Sequence, residues 1–162
     1  MRNLRRYYMN NNSLFRKYRF KFYLNASHYI FIDGVKGETH PHTWEFVVDI
    51  LMTSDSFVQF NQYEKDIEVY FEKFQNKVIN DFSPFDVTIP TLENMSEHFI
   101  FEIRDIVQSN GGRLYRFEAS ETPTRSYILS FENDDELMES IRKERADRMV
   151  EIIDHVIDRI ME

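Results

Sequence analysis

The sequence predicts an α+β fold in which an antiparallel four-stranded sheet carries two helices on one face. Alternating apolar and polar residues mark two strands before residue 55 and two more after residue 112. Apolar residues at helical spacing fill the region between these two pairs of strands. The predicted order is therefore strand-strand-helix-helix-strand-strand, with an additional helix at the C-terminus.

The first two strands are predicted over residues 15–28 and 41–53, joined as an antiparallel hairpin by a glycine-containing turn at 29–39. Alternation places His28 at the end of the apolar face of the first strand. His40 and His42 fall on the same side of the second strand as its apolar residues. If the strands pair, these three histidines converge at one end of the sheet.

Two amphipathic helices are predicted next, over residues 62–80 and 92–109, with a loop through Pro84 and Pro90 between them. Thr91 is the expected N-cap of the second helix, which ends at the glycine pair 111–112. His98 is expected on the surface of this helix. Strands over 113–121 and 126–131, separated by a turn at Pro123, complete the sheet.

Beyond Asn133 a long amphipathic helix extends to about residue 161, and it packs either on its own domain or on a neighbouring subunit. We therefore divide the chain into a basic N-terminal extension (1–14), a central domain (15–132) and a C-terminal amphipathic helix (133–162). Residues 134–162 are a candidate binding segment for a protein partner.

Composition excludes several classes of protein. The 162 residues are 42% hydrophobic, enough for one globular core, and no stretch approaches the roughly 18 apolar residues of a membrane span, so a cytoplasmic location is expected. Cysteine is absent, which excludes disulfides, thiolate metal ligands and a cysteine nucleophile. Residues 1–32 are basic within a chain of net charge −8, but without a binding motif we do not expect a nucleic-acid partner.

His28, His40 and His42 are the candidate metal ligands. A catalytic zinc ion commonly takes three protein ligands and leaves one position for water or substrate. Imidazoles two residues apart on one strand project from the same face, and a neighbouring strand about 4.8 Å away supplies the third. The alternative from spacing alone is a set of hydrogen-bonded histidines without an ion.

Four motifs in order resemble the 6-pyruvoyl-tetrahydropterin synthase and 6-carboxytetrahydropterin synthase family, over about residues 19–131. Residues 22–28 resemble its F-x-A-S-H strand, and residues 40–44 its H-G-H-x-[YFW] strand; these carry the zinc ligands in that family. Residues 90–94 are similar to the P-T-x-E-N helix start. Ser120-Glu121-Thr122 followed by Tyr127 resembles the strand segment whose glutamate anchors the pterin ring.

The resemblance implies a tunnelling fold (T-fold) whose subunits form a homo-oligomer, trimeric or hexameric, with zinc as cofactor and a pterin ligand. It implies zinc on His28, His40 and His42, and substrate binding by Glu121 and Thr91. The implied reaction is that of a carbon-oxygen lyase acting on dihydroneopterin triphosphate or a related pterin.

Departures from the family pattern concern proton transfer. The family's cysteine before the H-x-H strand is missing, and its Asp-His pair aligns with Asp81 and Phe82, so the histidine is replaced. Glu38 lies near the position of a glutamate that one branch of the family uses, which makes Glu38 and Asp81 the catalytic candidates. The alternative hypothesis is a catalytically inactive member that serves as a zinc- and pterin-binding sensor or protein-interaction module.

Overall fold

The computed structural model describes residues 17–52, 59–131 and 134–161, and the predicted extension 1–14 lies outside them. Its strands are β1 (Lys17–His28), β2 (Phe31–Ile32), β3 (Val35–Lys36), β4 (His40–Met52), β5 (Gly112–Thr122) and β6 (Arg125–Ser130). Its α-helices are α1 (Phe60–Phe71), α2 (Leu92–Ser109) and α3 (Asp135–Met161). A short 3-10 helix, Ile79–Asp81, lies between α1 and α2.

The main sheet is antiparallel in the order β1-β4-β5-β6, which confirms the predicted fold class. In the pairing of β1 with β4, Phe22 lies opposite Phe46 and His28 lies opposite His40. This register aligns the apolar faces of the two strands, because a slip of one residue would turn every side chain to the opposite face.

The hydrophobic core lies between this sheet and the helices α1 and α2. The inward residues of β1 alternate with more exposed ones as predicted, whereas β4 is buried on both faces from Phe46 to Leu51 because it lies inside the sheet. Trp44 and Phe46 are fully buried. Phe46 stacks on Phe71 of α1 with ring centroids 4.9 Å apart and meets Phe99 of α2 edge to face at 5.6 Å. Aromatic packing therefore fixes both helices on one face of the sheet.

The predicted helix over residues 62–80 is wrong at its C-terminal end, because α1 stops at Phe71. Turns follow, and Asn76 adopts a left-handed conformation with φ of 59°. The backbone N–H of Asn76 donates to the carbonyl of Asn25 at 2.6 Å, and Ser27 N–H donates to Lys77 at 2.8 Å. Pairing with the free edge of β1 thus replaces the last helical turns.

Pro41 lies in β4 at a point where its missing N–H costs no sheet hydrogen bond. It faces Ser27 of β1, whose own N–H points away from β4 and donates to Lys77. On the other side of β4 the pairing with β5 reaches only as far as Glu45. Pro41 therefore occupies a local edge, the position in a sheet where proline is tolerated.

The turn predicted at 29–39 contains a small hairpin, β2 with β3, whose Phe31, Ile32 and Val35 are exposed. At the other end of the chain α3 spans 27 residues. Its described apolar side chains are about half exposed: Val150, Ile153, Val156 and Ile157. None of the described helices combines the length and apolarity that crossing a membrane requires.

Candidate metal and ligand site

Three imidazoles meet where β1 ends and β4 begins. The ring centroids of His28 and His40 are 4.7 Å apart, those of His28 and His42 are 5.0 Å apart, and those of His40 and His42 are 4.8 Å apart. One ring nitrogen from each histidine lies within 4.8 Å of the other two. The register of the hairpin creates this cluster, since His28 is paired with His40 and Ala26 with His42.

Backbone carbonyls fix the proton positions on two of the rings. His28 Nδ1 lies 2.7 Å from the Pro90 carbonyl oxygen, and His40 Nδ1 lies 2.9 Å from that of Glu38. Because a carbonyl oxygen only accepts, each Nδ1 carries the proton and each Nε2 presents a lone pair. A carbonyl on the outer nitrogen is the usual second-shell partner of a histidine that binds a metal.

The two Nε2 atoms of His28 and His40 lie 3.1 Å apart. Two lone pairs at this distance repel each other unless a cation lies between them. Nitrogens 2.0–2.1 Å from a tetrahedral ion would be roughly 3.3 Å apart. The donor set and its spacing therefore fit a divalent ion with imidazole ligands.

Burial favours the neutral forms of His28 and His42. It is the largest cause that lowers the pKa of His28, and the neighbouring histidines lower this pKa further, although the Pro90 carbonyl opposes the shift. Burial likewise lowers the pKa of His42, against the opposing charge of Glu121. Since a metal binds the neutral imidazole, both shifts leave these residues ready for an ion near neutral pH.

Glu121 reaches the same site from β5. Its Oε1 accepts a hydrogen bond from the indole Nε1 of Trp44 at 3.2 Å, and the Trp44 ring lies edge to face with His28 at 5.2 Å. The β5–β6 pairing shifts register between Ala119 and Thr122. Such irregularities re-aim side chains beside functional sites, and this one accompanies the turn of Glu121 toward the histidines.

A cavity of about 400 Å³ joins these groups. Its lining comes from the ends of β1, β4 and β5, the start of α2 and the start of β6: His28, Ile30, His40, His42, Thr91, Leu92, Glu93, Glu121, Arg125, Ser126 and Tyr127. The size suits a small heterocyclic ligand, and the walls offer imidazole, carboxylate, hydroxyl and guanidinium groups.

Thr91 shapes the helix side of the cavity. Its hydroxyl accepts the backbone N–H of Asn94 at 3.3 Å and so caps α2, as predicted. The Asn94 side chain donates to the Ile89 carbonyl at 2.8 Å, which ties the preceding loop to the helix. Pro90 in this loop supplies the carbonyl that binds His28.

The side chains of Glu38 and Asp81 are exposed and are not among the residues that line the cavity. Each nevertheless belongs to a segment that contacts the end of the sheet where the cavity lies. The Glu38 carbonyl accepts a hydrogen bond from His40, and Asp81 directly follows Asn80. The Asn80 side chain binds both the N–H and the carbonyl of Tyr29, at 2.9 and 3.0 Å. This contact holds the segment of Asp81 against the end of β1.

Three features of the site differ from the sequence analysis or were missed by it. His98, which lies outside the cavity, is half-buried and lies edge to face with Phe85 at 5.3 Å, so the predicted surface position is confirmed only in part. The pair of hydrogen bonds between the Asn80 side chain and the Tyr29 backbone, here called the clasp of Asn80, could not be predicted from any pattern in the sequence. Arg125 in the cavity wall was also missed, because an arginine beside a predicted turn resembles any solvated charge.

Comparison with known proteins identifies a family match for most of the chain. The family model of 6-pyruvoyl tetrahydropterin synthase matches residues 17–132. A search of curated protein sequences found no match.

Solved structures are similar in fold. The Caenorhabditis elegans 6-pyruvoyl tetrahydropterin synthase superposes with a TM-score of 0.60 at 14% identity, covering 72% of this chain and 96% of that one. The Plasmodium falciparum synthase gives 0.53 at 12% identity, covering 71% and 96%. An uncharacterized protein from Wolinella succinogenes gives 0.54 at 13% identity, covering 74% and 100%.

Proposed function

Because this chain belongs to the 6-pyruvoyl tetrahydropterin synthase family, we propose that it is a zinc-dependent lyase acting on dihydroneopterin triphosphate or a related pterin. One observation carries the proposal. Three imidazoles whose ring nitrogens converge share a cavity with the carboxylate of Glu121, so a metal site and a ring-binding acid would be available to one small ligand.

His28, His40 and His42 would hold the zinc. Bound zinc would polarise an oxygen of the substrate's side chain and so acidify the adjacent carbon. The chain's own contribution is to favour the neutral forms of His28 and His42 by burial and to orient His28 and His40 through the carbonyls of Pro90 and Glu38.

Glu121 would anchor the pterin ring. A carboxylate accepts the paired N–H donors of a 2-aminopyrimidinone in a bidentate manner. The indole of Trp44 donates to one oxygen of this carboxylate and so orients it before ligand binds. Thr91 would contact the ligand from the opposite wall, where its position is set by the cap of α2.

Glu38 and Asp81 are our candidates for proton transfer. Glu38 is supported by its place next to the metal ligands, since its carbonyl accepts from His40. Asp81 is supported by the clasp of Asn80 on Tyr29. Both carboxylates would have to turn from solvent toward the cavity when substrate binds, a rearrangement that catalytic groups undergo in many enzymes.

A second candidate function is binding without turnover, as a zinc- and pterin-binding sensor or interaction module. The exposed side chains of Glu38 and Asp81 favour it, as does the absence of cysteine from the sequence. In this case the cavity keeps its affinity for pterins, and the reaction is lost.

Turnover of the zinc-loaded full chain with dihydroneopterin triphosphate tests the proposal. We expect release of inorganic triphosphate, abolished by His42→Ala and reduced at least tenfold by Glu38→Gln or Asp81→Asn. His98→Ala is the matched control, because His98 does not line the cavity, and it should keep full zinc stoichiometry and full activity. Pterin binding without any product, at high protein concentration and with one zinc per chain, would favour the binding module. A purified protein without stoichiometric zinc would contradict both candidate functions.

We also propose that the chain assembles into a homo-oligomer, trimeric or hexameric. The sheet order leaves β1 and β6 as edges, and residues 17–23 of β1 lie outside the part of that edge paired with residues 75–78. Unpaired edges are ready templates for strand pairing between copies. Light scattering on the purified chain would give the stoichiometry.

A further inference from the structure

Arg125 lies in the cavity wall. It opens β6, where its backbone pairs with Thr122, and its exposed guanidinium makes no hydrogen bond or ion pair among the described residues. It lies two residues before Tyr127, which packs against the core, so both side chains point to the helix side of the sheet. The guanidinium therefore reaches the cavity with its donors available.

Each strand of the sheet contributes to the site at the same end. In sheet order the contributors are His28 on β1, His40 and His42 on β4, Glu121 on β5 and Arg125 on β6. Neighbouring strands are about 4.8 Å apart. Arg125 is thus next to Glu121 and is separated from the imidazoles by the width of β5.

A carboxylate beside a guanidinium binds a ligand edge that presents hydrogen-bond donors next to an acceptor. Glu121 accepts from donors, and Arg125 donates from a rigid planar fork to an acceptor. The edge of a 2-amino-4-oxopyrimidine offers this combination, with two N–H donors followed by a carbonyl oxygen. In a 2,4-diamino ring an amino donor replaces the carbonyl oxygen, and N3 loses its hydrogen and becomes an acceptor.

We propose that Arg125 donates to the 4-oxo oxygen of the ring that Glu121 holds, and so selects 2-amino-4-oxo heterocycles over 2,4-diamino ones. This inference rests on the proposed function, since it takes Glu121 as the ring anchor. Binding of an anionic arm is the competing role for Arg125. Strand order argues against this role. If the ring lies on Glu121 and the ligand's side chain extends to the imidazoles on β1 and β4, that side chain points away from Arg125 on β6.

Fluorescence titration of the zinc-loaded full chain with two probes tests the inference. The probes are neopterin and its 4-amino analogue, which share the same side chain. We expect the parent chain to prefer neopterin, and Arg125→Gln to shrink this preference about tenfold by weakening neopterin alone. The part of the preference due to Glu121, which needs the N3–H that the 4-amino ring lacks, should remain. Arg125→Lys should retain an intermediate preference, because lysine donates without the planar fork.

Arg104→Gln is the control for loss of a positive charge, since Arg104 is an exposed residue of α2 outside this cavity. It should leave both affinities unchanged. An unchanged preference in Arg125→Gln, with neopterin binding still lost in Glu121→Gln, overturns the inference and leaves the proposed function standing. Arg125→Gln that weakens only the triphosphate ester, relative to neopterin, also overturns it, since Arg125 would then bind the anionic arm. A parent chain that binds neither probe contradicts the proposed function itself.

Discussion

The hydroxyl of Tyr70 is a buried polar group without a hydrogen-bond partner among the described residues. The ring packs edge to face on Phe99 with centroids 5.8 Å apart, so the aromatic part of the residue is well placed. Burial, followed by the nearby charge of Glu102, raises the pKa of Tyr70 above its ordinary value. Folding therefore removes water from this hydroxyl, and no described residue replaces it.

We predict that Tyr70→Phe stabilises the protein by about 1 kcal/mol at neutral pH, because it removes an unsatisfied buried group and keeps the ring. Tyr63→Phe is the matched control. The hydroxyl of Tyr63 donates to the Asn110 carbonyl at 2.6 Å, so its loss should destabilise the protein by a similar amount. Urea unfolding of the three proteins gives the free energies of unfolding, and equal shifts of one sign for both variants would refute the argument.

The same residue has a consequence at alkaline pH. An unfolded tyrosine ionises near its ordinary pKa of 10.0, whereas the folded Tyr70 stays protonated to higher pH. Above pH 10 the unfolded state therefore binds fewer protons, and the stability falls as pH rises. Tyr70→Phe should show a shallower fall over this range.

At this scale the sequence predicts buried groups better than cavity walls. The alternation in β1 and β4 placed His28, His40 and His42 on one face, because strand periodicity and a buried apolar face leave one register. Arg125 could not be predicted in the same way. Its place beside the histidines depends on the pairing of β5 with β4, and that is a property of the whole sheet.

Helix ends are where local pattern and tertiary contacts compete. Apolar spacing continues through Phe74 and Val78, which led to the helix predicted to residue 80. The backbone of Asn76 and Lys77 instead satisfies Asn25 and Ser27 at the edge of β1. A single sequence does not reveal that this edge is free, so the end of α1 could not be predicted, whereas the start of α2 could because Thr91 caps it locally.

Thr91→Ala should destabilise the protein by about 1 kcal/mol, since the N-cap acceptor for Asn94 is lost. Thr91→Ser keeps the hydroxyl and should stay within a few tenths of a kcal/mol of the parent. Thermal unfolding followed by circular dichroism distinguishes the two variants. If both lose the same stability, the methyl group in the cavity wall and not the cap is responsible.

At the scale of the whole molecule, we predict that the central domain folds without α3. The described residues of the core cluster run from Tyr18 in β1 to Phe131, just after β6, and the described apolar residues of α3 lie outside it. A chain ending at residue 132 should therefore fold, with one zinc per chain and a Tm within a few degrees of the parent. Any change should appear in its association, measured by light scattering. A truncated chain that is unfolded or cannot bind zinc would assign α3 to the central domain.

The pairing of His28 with His40 also determines which changes of length the chain can absorb. Their rings meet because β1 and β4 hold a fixed register, while the hairpin of β2 and β3 between them projects beyond the sheet. An insertion at the tip, at Asp33 and Gly34, lengthens the excursion and leaves the two strand ends in place. One extra residue within β1 would instead rotate His28 to the opposite face. Evolution and engineering can therefore remodel the loop beyond the histidine cluster freely, but must keep the length of the strands that carry His28, His40 and His42.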